Sequence, residues 1–334
     1  MKLSDFDYDL PEALIAQYPS LKRDDARLLV VDRRSGRVSH DIFRNVGTYL
    51  PPEGLLVVNN SKVIQARLIG QKVRSGGQVE VFLLKHLEGR RFEAMLKPLK
   101  KIQEGEILLF PGDVRAKLVD RFARTVEFDR DDVLKTLEKV GHIPLPPYIK
   151  RPDEDSDRVN YQTVYAKHAG SVAAPTAGLH FTKDLMASLK KAGHSFAEVT
   201  LHVNYGTFKP VEEEDITRHP MHHEHYEIPG AARQQILEAK AKGQKIVAVG
   251  TTSCRTLEAF ARTGKAEDDT NLFLYPGADF RMTDTLITNF HLPRSTLFML
   301  VSAFAGLDLV QRAYAEAIRE KYRFYSYGDA MIVL

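Results

Sequence analysis

The sequence predicts an α/β protein whose sheet domain is interrupted by a β-rich insert, and three observations carry that prediction. Beyond an acidic run at Asp153 to Asp157, apolar runs short enough for strands alternate with helical stretches, the pattern of a largely parallel sheet. From about Val63 to Val119 the texture changes to short strands joined by Gly-rich turns, which argues for a small sheet or barrel. Pro144, Pro146, Pro147 and Pro152 then make a stiff connector, and the acidic run Asp153-Glu154-Asp155, with Asp157, reads as a solvated boundary. The expected division is 1–62 with 151–334 for the α/β domain and 63–150 for the insert.

In chain order, Leu28 to Val31 is an apolar strand, Arg33-Arg34-Ser35-Gly36 a turn, and Leu55 to Val58 a second buried strand closed by Asn59-Asn60-Ser61. Within the insert, turns containing Gly76, Gly89, Gly105 and Gly112 precede strands at Val79 to Leu84, Phe92 to Leu96, Ile107 to Phe110 and Val114 to Val119. Val133 to Val140 reads as a helix stopped by Gly141. Thr182 is placed to cap a helix carrying Leu185, Met186 and Leu189 at helical spacing. Beyond it come strands at Val199 to Val203, Ile246 to Val249, Leu272 to Leu274 and Met331 to Leu334. The intervening helices are Ala231 to Ala241, Cys254 to Ala261, and two more from Ser295 and Leu309.

Composition narrows the function classes. With 334 residues, 43% hydrophobic and 27% charged, the chain has the balance of a soluble globular protein able to bury a sizeable core. The lone Cys254 leaves no intramolecular disulfide and points to a reducing compartment. Asp5, Asp7 and Asp9 break up the N-terminal apolar residues, so no export signal is expected. The apolar run Leu297 to Leu307 is too short to span a bilayer and reads as a buried helix. A net charge of +3 does not announce a nucleic-acid binder. The cluster Arg90, Arg91, Lys97, Lys100 and Lys101 fits either a solvated surface or phosphate binding.

Four segments, and a histidine-rich stretch beside them, carry candidate chemistry. In Ser171-Val-Ala-Ala-Pro-Thr-Ala-Gly-Leu-His-Phe181, small residues that let a ligand approach the backbone lead into His180 and a helix start, although tight packing under a sheet explains the same residues. Next, Glu198, Thr200, His202 and Asn204 share the polar face of a strand, which favours a ligand site beside His202. Gly250-Thr251-Thr252-Ser253 links a strand to a helix, with Arg255 beside it able to pair with a ligand carboxylate or a surface acid, and has neither Walker nor GxGxxG spacing. Last, Thr288 to Thr296 sets Asn289 and His291 between apolar segments, where capping by Ser295 or Thr296 explains only the hydroxyls. His219, His222, His223 and His225, with Glu224 and Glu227, lack metal-site spacing and fit proton transfer better.

Taken together, several long motifs make the chain resemble the S-adenosylmethionine:tRNA ribosyltransferase-isomerase family of queuosine biosynthesis nearly end to end. They are Val57 to Ile64, Gly141 to Ile149, Ser171 to Phe181, Val249 to Ser253, Thr288 to Thr296 and Tyr322 to Met331. One departure is Asn204, where the family usually has glycine. The resemblance implies an L-shaped, monomeric, cytoplasmic enzyme with a β-barrel inserted in an α/β catalytic domain. It also implies transfer of the ribosyl part of S-adenosylmethionine to 7-aminomethyl-7-deazaguanine at the tRNA wobble position, giving epoxyqueuosine-tRNA, adenine and methionine, with no metal or redox cofactor.

That chemistry requires a base beside the sulfonium, a proton donor for departing adenine, and groups that hold the methionine and ribose ends. His180, His202, Glu224 and His291 are the expected acid/base or orienting groups. Thr176, Ala177, Gly178, Gly250, Thr251, Thr252, Ser253, Arg255, Asn289 and Thr296 are expected to hold S-adenosylmethionine. Lys62, Arg67, Lys97, Lys100 and Lys101 are expected to meet tRNA phosphates. The rival classes are a tRNA methyltransferase, disfavoured by the missing glycine-rich loop, and a non-catalytic tRNA-binding module.

Overall fold

The computed structural model describes residues 1–203 and 211–334; Asn204 and the Gly206-Thr207-Phe208 motif after it lie outside the described residues. The chain enters β1 (Arg27–Asp32), turns at Arg33–Gly36 into antiparallel β2 (Arg37–Ile42), and continues through β3 (Leu55–Asn59) to β4 (Ser61–Val63). Then follow β5 (Arg67–Lys72), β6 (Gln78–His86), β7 (Arg91–Lys97), β8 (Ile107–Phe110), β9 (Val114–Asp120) and β10 (Thr125–Phe128). These six close into a barrel in the order β10-β7-β6-β5-β8-β9. Alternation along each strand fills it: in β9, Val114, Ala116 and Leu118 point inward while Arg115 and Lys117 face water. The helix α1 (Val133–Val140) lays Val133 and Leu137 on this core. It stops at Gly141, where a Cβ would come within 2.2 Å of the Gln65 carbonyl.

Past the connector come α2 (Asp157–Asn160), β11 (His168–Ser171) paired with β4, α3 (Lys183–Lys191) and β12 (Ser195–Leu201). The chain continues through β13 (Glu224–Glu227), α4 (Gly230–Ala241), β14 (Ile246–Val249), α5 (Thr251–Thr263) and β15 (Glu267–Thr270). It finishes with β16 (Thr285–Asn289), α6 (Thr296–Ala305), α7 (Leu307–Arg319) and β17 (Ala330–Val333). Among the described residues nine strands form one sheet, ordered β15-β13-β12-β3-β14-β16-β17-β1-β2. Central strands β3 and β14 are buried throughout, which explains their unbroken apolar sequences. Leu55 and Val57 face the side covered by α4 to α7, whereas Leu56 and Val58 face α3 and Phe43.

The sheet is mixed, not largely parallel. β12, β3, β14 and β16 run together, but β2, β13 and β15 pair antiparallel at the edges, and β17 lies antiparallel to β16. The last reversal has a cause: α6 and α7, bent by 114° at Gly306, return the chain to the end of the sheet it left. Leu272–Leu274 is not a strand. Strand β15 lies just before it in the all-polar Glu267–Thr270, paired with β13 and bridged to His225 by Glu267 and Asp269, so hydropathy gave no sign of it. Asp157 is not solvated either: it is fully buried and takes a bidentate ion pair from Arg151 at 2.7 and 2.9 Å and a bond from the Tyr327 hydroxyl. Burial opposes its charge, but Arg151 and Tyr327 outweigh burial and hold the carboxyl below its ordinary range.

Among the described residues no single helix is long and apolar enough to cross a membrane. Leu297–Leu307 is divided between α6 and α7, with Phe298 to Val301 buried in the core.

Candidate active site

Parallel strands β14 and β16 end side by side, and a cleft opens just beyond their carboxyl ends, where sheets of this kind place ligands. The loop Ala173–Ala177 forms one wall, Gly250–Thr252 and Asn289–His291 the floor, and Tyr148 with Tyr325 and Ser326 the far side. Of the described residues lining it, none is Asp, Glu, Lys or Arg. Ser171 fixes the loop from beneath: its hydroxyl donates to the Ala173 carbonyl at 2.7 Å and accepts from Val203 N–H at 3.0 Å.

Asn289 organises the floor. Its Nδ2 donates to His180 Nε2 at 3.1 Å and to the Tyr325 carbonyl at 3.2 Å, while its Oδ1 is buried with no partner among the described residues. His180 therefore stands behind Asn289, with its ring centroid 5.1 Å from that of Phe43, and does not line the cleft. His291 does line it, with Nε2 2.7 Å from the Thr288 hydroxyl. Its backbone is clamped by the Tyr8 hydroxyl on its carbonyl and by its own N–H to Tyr314 Oη at 3.0 Å. Burial, with the positive charge of Arg323 second, pushes His180 down to about 3, and burial alone pushes His291 down to about 3. Both imidazoles are neutral at pH 7, so neither repels a cationic ligand such as a sulfonium.

Gly250 has φ +90° and is the N-cap of α5, a conformation that requires glycine. Thr251 and Thr252 thus enter the cleft at a helix N-terminus, and Thr252 Oγ1 is buried without a partner among the described residues. Ser253 faces the other way, donating to the Val249 carbonyl at 2.8 Å. Gly178 also faces away: a Cβ there would meet Tyr165 Oη at 2.0 Å, so its glycine serves packing. Thr182 caps α3 through Leu185 N–H at 3.0 Å, but that helix end lies outside the cleft and α5 supplies the N-terminus instead. Cys254 is buried, and burial with nearby Glu258 pushes its thiol up to about 12, so it is no nucleophile at neutral pH.

The remaining expected site residues are dispersed. Glu224 and Arg255 form a buried ion pair in a second pocket, lined also by Thr296 and separated from the cleft by Leu297, which touches both. His202 opens onto a third space, a groove shared with barrel residues Lys85, His86 and Arg124. Two other residues of its strand face are satisfied within the protein: Thr200 bonds to Asn60, and Glu198 to Asn60 and Lys167. Of the basic residues, Lys62 pairs with Glu138 and Arg67 with Glu80, while Lys97, Lys100 and Lys101 are exposed without ion pairs among the described residues. Among the described residues no group of three His, Cys, Asp or Glu is arranged to hold a metal. Sequence reasoning missed Tyr148, Tyr325 and Ser326 as site residues. The signal was Tyr325 in an aromatic run, held at φ +70°, and Tyr148 inside the proline connector, its hydroxyl 2.6 Å from Ser326 Oγ.

A mixed α/β sheet carrying a closed barrel, with an uncharged cleft at its strand ends, places the chain among two-part α/β proteins whose candidate site is a cleft at the sheet's carboxyl edge. The family model described as "Queuosine biosynthesis protein" matches residues 3–333. Curated relatives called S-adenosylmethionine:tRNA ribosyltransferase-isomerase include those of Sulfurihydrogenibium sp. (strain YO3AOP1), 49% identical, and Carboxydothermus hydrogenoformans, 50% identical; each match covers 100% of both chains. A crystal structure of S-adenosylmethionine tRNA ribosyltransferase from Thermotoga maritima is similar with TM-score 0.57 and 39% identity, over 99% of this chain and 100% of that one. The chain belongs to the S-adenosylmethionine:tRNA ribosyltransferase-isomerase family of queuosine biosynthesis and is an enzyme.

Proposed function

We propose that the enzyme transfers and isomerises the ribosyl part of S-adenosylmethionine onto the aminomethyl group of 7-aminomethyl-7-deazaguanine at the tRNA wobble position, leaving epoxyqueuosine and releasing adenine and methionine. The observation that carries this is the convergence of Ala173–Ala177, Gly250–Thr252, Asn289–His291 and Tyr325–Ser326 on one uncharged cleft. A sulfonium is a cation, and a cleft without lysine or arginine accepts it without repulsion. His291 is the imidazole that lines this cleft, neutral at pH 7, and is the group assigned to proton transfer or to orienting the substrate. His180 acts through Asn289 as a positioning residue. The rings of Tyr148 and Tyr325, centroids 4.6 Å apart and tilted by 48°, offer an aromatic wall to adenine.

In this reading residues 1–62 and 151–334 are the catalytic domain, and the insert 63–150 collects tRNA through Lys97, Lys100 and Lys101. The chain works as a cytoplasmic monomer and consumes S-adenosylmethionine as its co-substrate, with no metal. Incubation with S-adenosylmethionine and tRNA bearing the deazaguanine, followed by mass analysis of nucleosides and small products, tests it. Adenine, methionine and epoxyqueuosine are expected; S-adenosylhomocysteine would make the enzyme a methyltransferase, and no product would make it a binding module.

A further inference from the structure

Arg255 lies one helical turn beyond Thr251 on α5, with its side chain 7% exposed. Nη1 donates to Glu224 Oε2 and Nε to the Leu272 carbonyl at 3.2 Å, yet Nη2 is buried with no hydrogen-bond partner among the described residues. Leaving a charged donor buried and unsatisfied is costly, and a ligand acceptor removes the cost. The pocket holding this guanidinium is lined also by His219, His222 and Thr296 and by apolar residues including Met221, Leu297 and Leu300, and Leu297 also lines the cleft. Moving from Thr251 to Arg255 advances about 6 Å along the helix axis. A chain of three carbons separates the sulfur of S-adenosylmethionine from its carboxylate, a comparable span.

We propose that Arg255 Nη2 binds the α-carboxylate of S-adenosylmethionine, with the methionyl methylenes crossing Leu297 from the cleft into the second pocket. Glu224 is then a positioning residue that orients the guanidinium, not the proton-transfer group. This rests on S-adenosylmethionine being the co-substrate. It also separates two tasks in space: the neutral cleft takes the sulfonium and ribose, and the ion-paired pocket takes the amino-acid end.

Calorimetric titration of the full-length protein with S-adenosylmethionine and with its decarboxylated analogue tests the assignment. The wild type is expected to prefer the carboxylated ligand by about 30-fold, the worth of a charge-assisted bond. Arg255→Gln should bring that preference within about threefold, a change that loss of packing alone would not produce. In Glu224→Gln the preference should fall while the pH profile of turnover keeps its shape; loss of a titration limb would make Glu224 an acid or base and overturn its positioning role. Equal binding of both ligands by the wild type would overturn the proposal, even if Arg255→Gln failed to fold. So would an undiminished preference in Arg255→Gln, including the case where only tRNA affinity drops. Adenine release by the wild type, measured alongside, reports separately on the reaction: its absence would sink the proposed function and leave the binding ratio to decide Arg255.

Discussion

Around the cleft, buried polar side chains bond to one another, with Asn289 Oδ1 and Thr252 Oγ1 left without a partner among the described residues, whereas on the barrel polar groups stand in solvent over an apolar core. Asn289 touches His180 and a backbone carbonyl with 2% of its surface exposed; Lys97, Lys100 and Lys101 are exposed and carry no ion pair among the described residues. The buried barrel core from Ala66 to Phe128 is hydrocarbon, built from residues such as Leu68, Val81, Leu96 and Leu118. Burying polar groups is costly unless each finds a partner, so a bonded network at strand ends signals a geometry worth fixing. Exposed lysines cost little and fix nothing, which suits a surface that meets a phosphate backbone.

The contrast breaks most decisively if the cleft tolerates change. His291→Ala should lower turnover about 10²–10³-fold while the protein stays folded, the usual scale for a proton-transfer group. Asn289→Leu should cost nearly as much, because it releases His180 and the Tyr325 carbonyl together. Steady-state kinetics checks both against circular dichroism of the folded state, and near-normal turnover in both would remove the cleft from the chemistry.

Smaller effects separate packing from ligand contact within the loop. Gly178→Ala should destabilise by about 1–3 kcal/mol in chemical denaturation, because the new methyl meets Tyr165 and Thr163, and should leave the KM for S-adenosylmethionine near its original value. Acid sharpens the same contrast. His180 and His291 sit near 3 when folded against 6.5 when free, so between those values the unfolded chain binds protons that the folded chain does not. Their contribution is fully present above about pH 6.5 and is lost as pH falls toward 3, by up to about 1.4 kcal/mol per pH unit for each. Unfolding free energy measured across that window should lose one proton of slope in His180→Asn. An unchanged slope would mean that His180 titrates normally.

Legibility in the sequence followed the same divide. Barrel strands β6 to β9 were readable because they alternate on an apolar core with glycine at the turns before them, as in Val114 to Val119; β5, where only Leu68 is buried, and β10, which no glycine turn precedes, were not. The loop segments of the site were readable as motifs, but their facing was not. Nothing local distinguishes Gly178, which packs on Tyr165, from Gly250, which needs φ +90°. His202, Glu224 and His291 were grouped as one centre, yet they open onto three different spaces. Which space a side chain enters depends on strand order, and β12 neighbours β3 across a long chain separation that periodicity does not encode. Asp157 read as solvated because its partners, Arg151 and Tyr327, become visible only on folding.

The smallest effects belong to the barrel, and they fall unevenly across its basic residues. Reversing Lys97, Lys100 and Lys101 to Glu should weaken tRNA binding about tenfold near physiological salt and flatten the dependence of log affinity on log salt by about two. Reversal of Lys62 or Arg67 alone should change affinity by only about twofold, since Glu138 and Glu80 already offset their charge. Filter binding across a salt series measures both quantities. Equal losses from the paired and unpaired sets would mean that tRNA displaces Glu138 and Glu80 on docking, and would extend the contact surface from the exposed lysines toward the groove beside the proline connector, where Arg67, Glu80 and Lys97 face Pro146 and Pro147.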